Sequence, residues 1–98
     1  MVNLIFDEDV FVPKAVSLNA VIKTALWDFV DRILQNPDNP DLIGTERDGF
    51  RASQFTTGYA LDWEVTRRRK VSIIELFSSG KPEEVKLWAI RELVPGKK

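Results

Sequence analysis

Residues 48–65, DGFRASQFTTGYALDWEV, decide how the rest of the chain is read. From Tyr59 onward the residues alternate, with Tyr59, Leu61, Trp63 and Val65 apolar and Ala60, Asp62 and Glu64 between them, which is the period-2 pattern of a strand buried on one face. Residues 50–55 alternate more weakly, and Thr57 and Gly58 between the two runs supply a turn, since glycine accepts a positive φ without steric cost. The stretch therefore predicts an antiparallel hairpin. On its polar face Asp62 and Glu64 either meet solvent or pair across the sheet with Arg51 or with an arginine of the following turn.

Working outward, the basic run Arg67, Arg68, Arg69 and Lys70 predicts a second turn, and residues 71–77, VSIIELF, a third and central strand, apolar on both faces. Ser78, Ser79, Gly80, Lys81 and Pro82 break that strand. A short carboxy-terminal helix is expected next, with Pro82 in its first turn, Glu83 and Glu84 at the positive end of its dipole, and Val85, Trp88, Ala89 and Leu93 as its apolar stripe. Toward the amino terminus, VNLIF at residues 2–6 reads as a strand, Asp7, Glu8 and Asp9 as a turn, and Pro13 blocks a continuous helix. From Ser17, the residues Leu18, Val21, Ile22, Leu26, Phe29, Val30, Ile33 and Leu34 recur at spacings of three and four, the stripe of a long helix capped by Ser17 or Asn19. Asn36 and Pro37 end it, and residues 38–49 read as a loop with Leu42 and Ile43 turned inward. The expected fold is α+β: a twisted antiparallel sheet, made of a three-stranded meander plus an amino-terminal strand, packed against one long helix, with a short carboxy-terminal helix.

Composition sets outer limits. A chain of 98 residues, 44% of them hydrophobic, suits one domain over residues 1–98. It has no cysteine and no histidine, so thiolate chemistry and the usual neutral-pH base are excluded, and neither a cofactor nor a metal is expected. The net charge of -1 argues against coating nucleic acid through bulk electrostatics. No apolar run approaches the roughly 20 residues of a membrane span, and a cytoplasmic location is expected.

Candidate chemistry is sparse. Arg67 to Lys70 is either a solvated turn or a surface for phosphates or an acidic partner, extended if Arg47, Arg51 or Lys81 lies near it. Serines 78 and 79 with Gly80 and Lys81 lack the full glycine-spaced nucleotide signature. Trp27, Trp63 and Trp88 each fall on an apolar stripe and are expected in the core.

The element order, together with WDFVDRILQNP at residues 27–37, DGFRASQFTTGYALDWEV and KVSIIELFSSGK at residues 70–81, resembles the RelE/ParE toxin superfamily of bacterial toxin-antitoxin systems. That resemblance covers roughly residues 20–93. It implies an antitoxin partner that wraps the toxin and, for the ribonuclease members, cleavage of mRNA on the ribosome by Lys, Arg and Tyr side chains; a homodimer is compatible with it. Carried onto this chain, the implied catalytic residues are Arg51 for phosphate contact, Lys81 for charge stabilisation and Tyr59 for proton transfer or stacking. Arg47, Arg67, Arg68, Arg69 and Lys70 are the implied nucleic-acid or partner contacts. The arginine expected after the tyrosine is Ala60, a second basic strand position is Ser53, and Pro82 follows Lys81. The resemblance thus implies either a ribonuclease with an eroded basic site or a binder of the same fold, beside the reading of an unrelated small interaction domain.

Overall fold

In the computed structural model, which describes residues 2–67 and 83–93, a five-stranded mixed sheet carries two helices. Strand β1 is Val2–Phe6, helix α1 Phe11–Ser17, helix α2 Ala20–Gln35, β2 Thr45–Arg47, β3 Phe50–Thr56, β4 Tyr59–Arg67 and β5 Glu83–Glu92, with a 3₁₀ turn at Pro40–Leu42. The strands lie in the order β1-β5-β4-β3-β2. The α+β class, the amino-terminal strand, the long helix and the hairpin are where the residue pattern puts them.

Helix α2 shows why its sequence is legible. Asn19, extended at ψ 168, accepts from the Ile22 amide through its side chain at 3.0 Å, satisfying one of the first-turn donors. Leu26, Phe29, Val30 and Ile33 then fall on one stripe and are buried against the sheet. Val21 is different. Five residues before Leu26, it is rotated by about 140° around the helix and is 76% exposed. Asn19→Ala is expected to lower stability by about 1 kcal/mol in urea unfolding, because no neighbouring side chain replaces the cap.

The hairpins follow their turn residues. Asp48 (φ 54) and Gly49 (φ 87) form the two-residue connection between β2 and β3, both with the positive φ that such a tight turn needs. Gly58 (φ 83) serves the β3-β4 connection. Residues 38–49 are accordingly not loop throughout: β2 occupies their end, while Leu42 is buried and Ile43 packs on the core. Gly44 permits this approach, since a Cβ there would collide with the carbonyl oxygen of Ala52.

Three expectations are corrected. The residues from Glu83 form β5, not a helix, and β5 pairs antiparallel with β4 along its whole length. Leu87 lies opposite Trp63 and Ala89 opposite Asp62, so Trp88 is an inserted bulge residue. That extra residue breaks the period of two, and Val85, Trp88 and Ala89 acquire helix-like spacing by accident. The sheet is mixed because β1 runs parallel to β5. Finally, there are two helices: Pro13 sits in the first turn of α1, where its missing N–H would have had no intrahelical partner. The Asp7 side chain accepts from Asp9 and Val10 ahead of that helix, and the Asp7 carbonyl from Phe11 and Val12. The expected strand at residues 71–77 lies outside the described residues.

The core sits between the sheet and the helices. Leu61, Trp63 and Val65 of β4 and Val85, Leu87 and Ile90 of β5 face Leu26, Phe29, Val30 and Ile33, with Phe11, Ala15, Leu18 and Leu42 closing the edges.

Candidate functional site

Strand β3 presents Arg51 toward the helices, because it pairs with inward-facing Trp63. The guanidinium is 5% exposed. Its Nε donates to Glu46 at 2.7 Å, one terminal nitrogen to the Pro37 carbonyl and the other to Asp38 at 3.2 Å, and its carbon lies 5.0 Å from the centre of the Trp63 ring. Ser53, two residues on, accepts from the Trp63 indole N–H at 2.9 Å. Arg51 therefore ties α2's exit turn and β2 to the central strand, with its charge met by two carboxylates.

Tyr59 lies elsewhere. Trp63, the partner of Arg51, is four residues along β4 from Tyr59, so the two backbones are about 13 Å apart along the sheet. The Tyr59 hydroxyl donates to Glu92 at 3.3 Å, and Glu92 also receives Lys14 Nζ at 3.0 Å, bringing α1, β4 and β5 together. Lys14, by hydrogen bond and by charge, and then the Tyr59 hydroxyl, hold the Glu92 carboxyl below its usual range. A depressed carboxylate is a poor proton acceptor near neutrality, so Glu92 orients Tyr59 and Lys14 more than it does proton chemistry.

The opposite face of the sheet holds a second set of polar groups. Ala60, buried, lies directly opposite Arg91 of β5, and Arg91 forks onto both oxygens of Asp62 at 2.9 to 3.1 Å. The Asp62 hydrogen bond and charge raise the Arg91 pKa above an already high value, so it stays a cation. Next along, the Trp88 indole donates to Glu64 at 3.0 Å, Lys86 Nζ sits 3.6 Å from the Trp88 ring centre, and Phe50 lies 6.1 Å from the same ring. Arg47 is exposed at the end of β2, where strand alternation turns it to the face opposite Glu46 and Arg51.

Among the residues expected at a site, then, Arg51, Tyr59 and Arg47 occupy three separate places. Arg67 closes β4 instead of opening a turn. Arg68, Arg69, Lys70 and Lys81 lie outside the described residues. Asp62 and Glu64 do pair across the sheet, with Arg91 and Trp88 in place of Arg51. Lys14, Lys86, Arg91 and Glu92 were not singled out by sequence reasoning: reading residues 82–93 as a helix hid the pairing of β5 with β4, and no local signal links Lys14 to a residue 78 positions away.

Two helices packed on one face of a mixed five-stranded sheet, with the tyrosine-bearing hairpin at its centre, define a RelE-like fold. No family model and no curated relative matches the chain by sequence. In structure it is similar to the isolated RelE toxin of E. coli, with a TM-score of 0.65 and 14% sequence identity over 97% of this chain and 87% of that one. At that identity the likeness is one of fold.

Proposed function

We propose that this chain is the toxin component of a toxin-antitoxin module, acting in the cytoplasm and held inactive by an antitoxin that wraps the sheet and helices through an amphipathic segment. The observation that carries this reading is the fold likeness to a RelE toxin across 97% of the chain. Among the described residues no helix is long and apolar enough to cross a membrane. The test is induced expression in bacteria, with and without the gene beside it. Growth arrest that the neighbouring gene relieves is expected; unimpeded growth at full protein level overturns the reading.

For the mode of action, the buried state of Arg51 favours binding to a target over cleavage of mRNA. A phosphate would have to displace two carboxylates and a carbonyl to reach its guanidinium, and Ala60 brings no arginine to the tyrosine. Among the described residues the cation beside Tyr59 is Lys14, which shares Glu92 with it, whereas Arg91, across from Ala60, lies on the other face of the sheet and is held by Asp62. Growth arrest with intact mRNA on translating ribosomes is the expected result. Ribosome-dependent cuts in the message, lost in Tyr59→Phe or Lys81→Ala, would instead establish the ribonuclease.

A further inference from the structure

The two edges of the sheet are built differently. Strand β2 has three residues, Thr-Glu-Arg, all exposed and two of them charged, the ordinary means of keeping an edge from pairing with another chain. Strand β1 has none of these protections. It is five residues long, VNLIF, with no charge, proline or bulge. The Asp7 amide donates to Leu87 of β5, and parallel pairing alternates, so Asn3 and Ile5 share its direction while Leu4 and Phe6 turn their N–H and C=O groups away from the sheet. No hydrogen bond from a described residue meets them.

An apolar surface adjoins this bare edge. Phe6 stacks on Phe11 at 5.6 Å, and both meet the edge of Trp27 at about 6 Å. Together with Val12, Ala15 and Val16 these residues line a cleft of about 140 Å³, and no polar side chain contributes to it. Phe6, Val10, Val12, Val16 and Trp27 are each between 36% and 69% exposed, and Ile5, which strand alternation turns to the other face of the sheet, is 39% exposed. At on the order of 100 Å² for each, the five on the helix side present about 500 Å² of apolar surface, in the range that marks an interaction site.

We propose that this edge and this surface form one interface, and that its occupant is a second copy of the chain. A docked helix would cover the cleft and leave the outward groups of Leu4 and Phe6 unpaired. An extended peptide would pair with β1 and leave the helix-side surface wet. A second copy supplies a strand and a helix-side apolar surface in one rigid body. A two-fold axis perpendicular to the sheet sets β1 antiparallel to its own copy, giving a continuous ten-stranded sheet with both helix layers on the same side. The two surfaces then lie next to each other, and the apolar area with the strand edge approaches the ~800 Å² per partner of a stable interface. Each cleft has about the volume that holds one ring or one branched aliphatic side chain. The proposal concerns the chain free of any antitoxin, and it uses only the edge and the surface beside it.

The test is the mass of the purified full chain by sedimentation and light scattering across a dilution series. A species of twice 11.2 kDa that dissociates on dilution is expected. Val16→Glu and Ile5→Lys, both at exposed positions, are expected to weaken association roughly a hundredfold while the circular dichroism of the monomer is unchanged. Hydrogen exchange provides a readout that needs no variant: the Leu4 and Phe6 amides should be protected at high concentration and exchange freely in the dilute monomer. A monomer at every concentration overturns the proposal. So does a dimer that both variants leave intact, or one in which those two amides stay unprotected, since the contact would then lie on another face. A chain that is monomeric alone and covers these amides only with a helical partner would assign the surface to that partner instead.

Discussion

Trp63→Ala is expected to cost about 4 kcal/mol, the largest loss of any single truncation in this fold. The indole is fully buried on the central strand β4, directly opposite Leu87 of β5 and Arg51 of β3. Removing it opens a ring-sized cavity, releases the Arg51 guanidinium from its stacking surface and deprives Ser53 of the indole N–H. A domain of this size holds roughly 5 to 10 kcal/mol in total, so the variant loses about 40% or more of its stability. Trp63→Phe separates the two contributions, since it retains most of the apolar volume and loses only the hydrogen bond and part of the stack; a loss of about 1 to 2 kcal/mol is expected. Urea unfolding of the three proteins gives both values from midpoints at constant slope. A cost below 1 kcal/mol for the alanine variant would mean that β4 is not the centre of the packed layer.

This same tryptophan shows what the residue pattern conveys and where it stops. Tyr59, Leu61, Trp63 and Val65 announce their strand because one face is buried and the other is not, so the alternation is intact. Helix α2 is equally plain, its stripe and its Asn19 cap being local properties of the chain. Strand β5 is not, because one bulged residue at Trp88 suffices to convert an alternating strand into something with helical spacing, and the glutamates at its start imitate a helix amino terminus. The Asp48-Gly49 hairpin carried a strong local signal that goes unread when the residues around it are short and polar. Pairings between distant segments are a different matter: Lys14 with Glu92, Arg51 with Pro37 and Asp38, and the order β1-β5-β4-β3-β2 depend on tertiary arrangement that no window of sequence contains. A candidate site defined by which side chains converge is therefore less legible than the fold that brings them together, and Arg51 is the instance that matters most for function.

Arg51→Ala is expected to lose about 3 kcal/mol, through the cavity beside Trp63 and the loss of the bonds it donates to the Pro37 carbonyl, Glu46 and Asp38. Those two carboxylates are 41% and 54% exposed, so water replaces part of what they lose and the cost stays at the lower end for a broken buried pair. Arg51→Lys discriminates between roles. A lysine could still place one positive charge near a phosphate, but its single ammonium cannot satisfy at once the acceptors arriving from Glu46 on β2 and from Pro37 and Asp38 in the turn after α2. As a structural tie, Arg51 should be poorly replaced: the lysine variant is expected to recover less than half of the loss measured for alanine. Growth arrest on expression should then follow the folded fraction of each variant, returning when a stabilising change elsewhere restores folding. As a phosphate contact, Arg51 would behave in the opposite way, with the lysine variant folded and partly active and the alanine variant inactive even when its stability is restored. Unfolding curves and growth measurements on the same two variants, with and without a compensating stabilising substitution, decide between them.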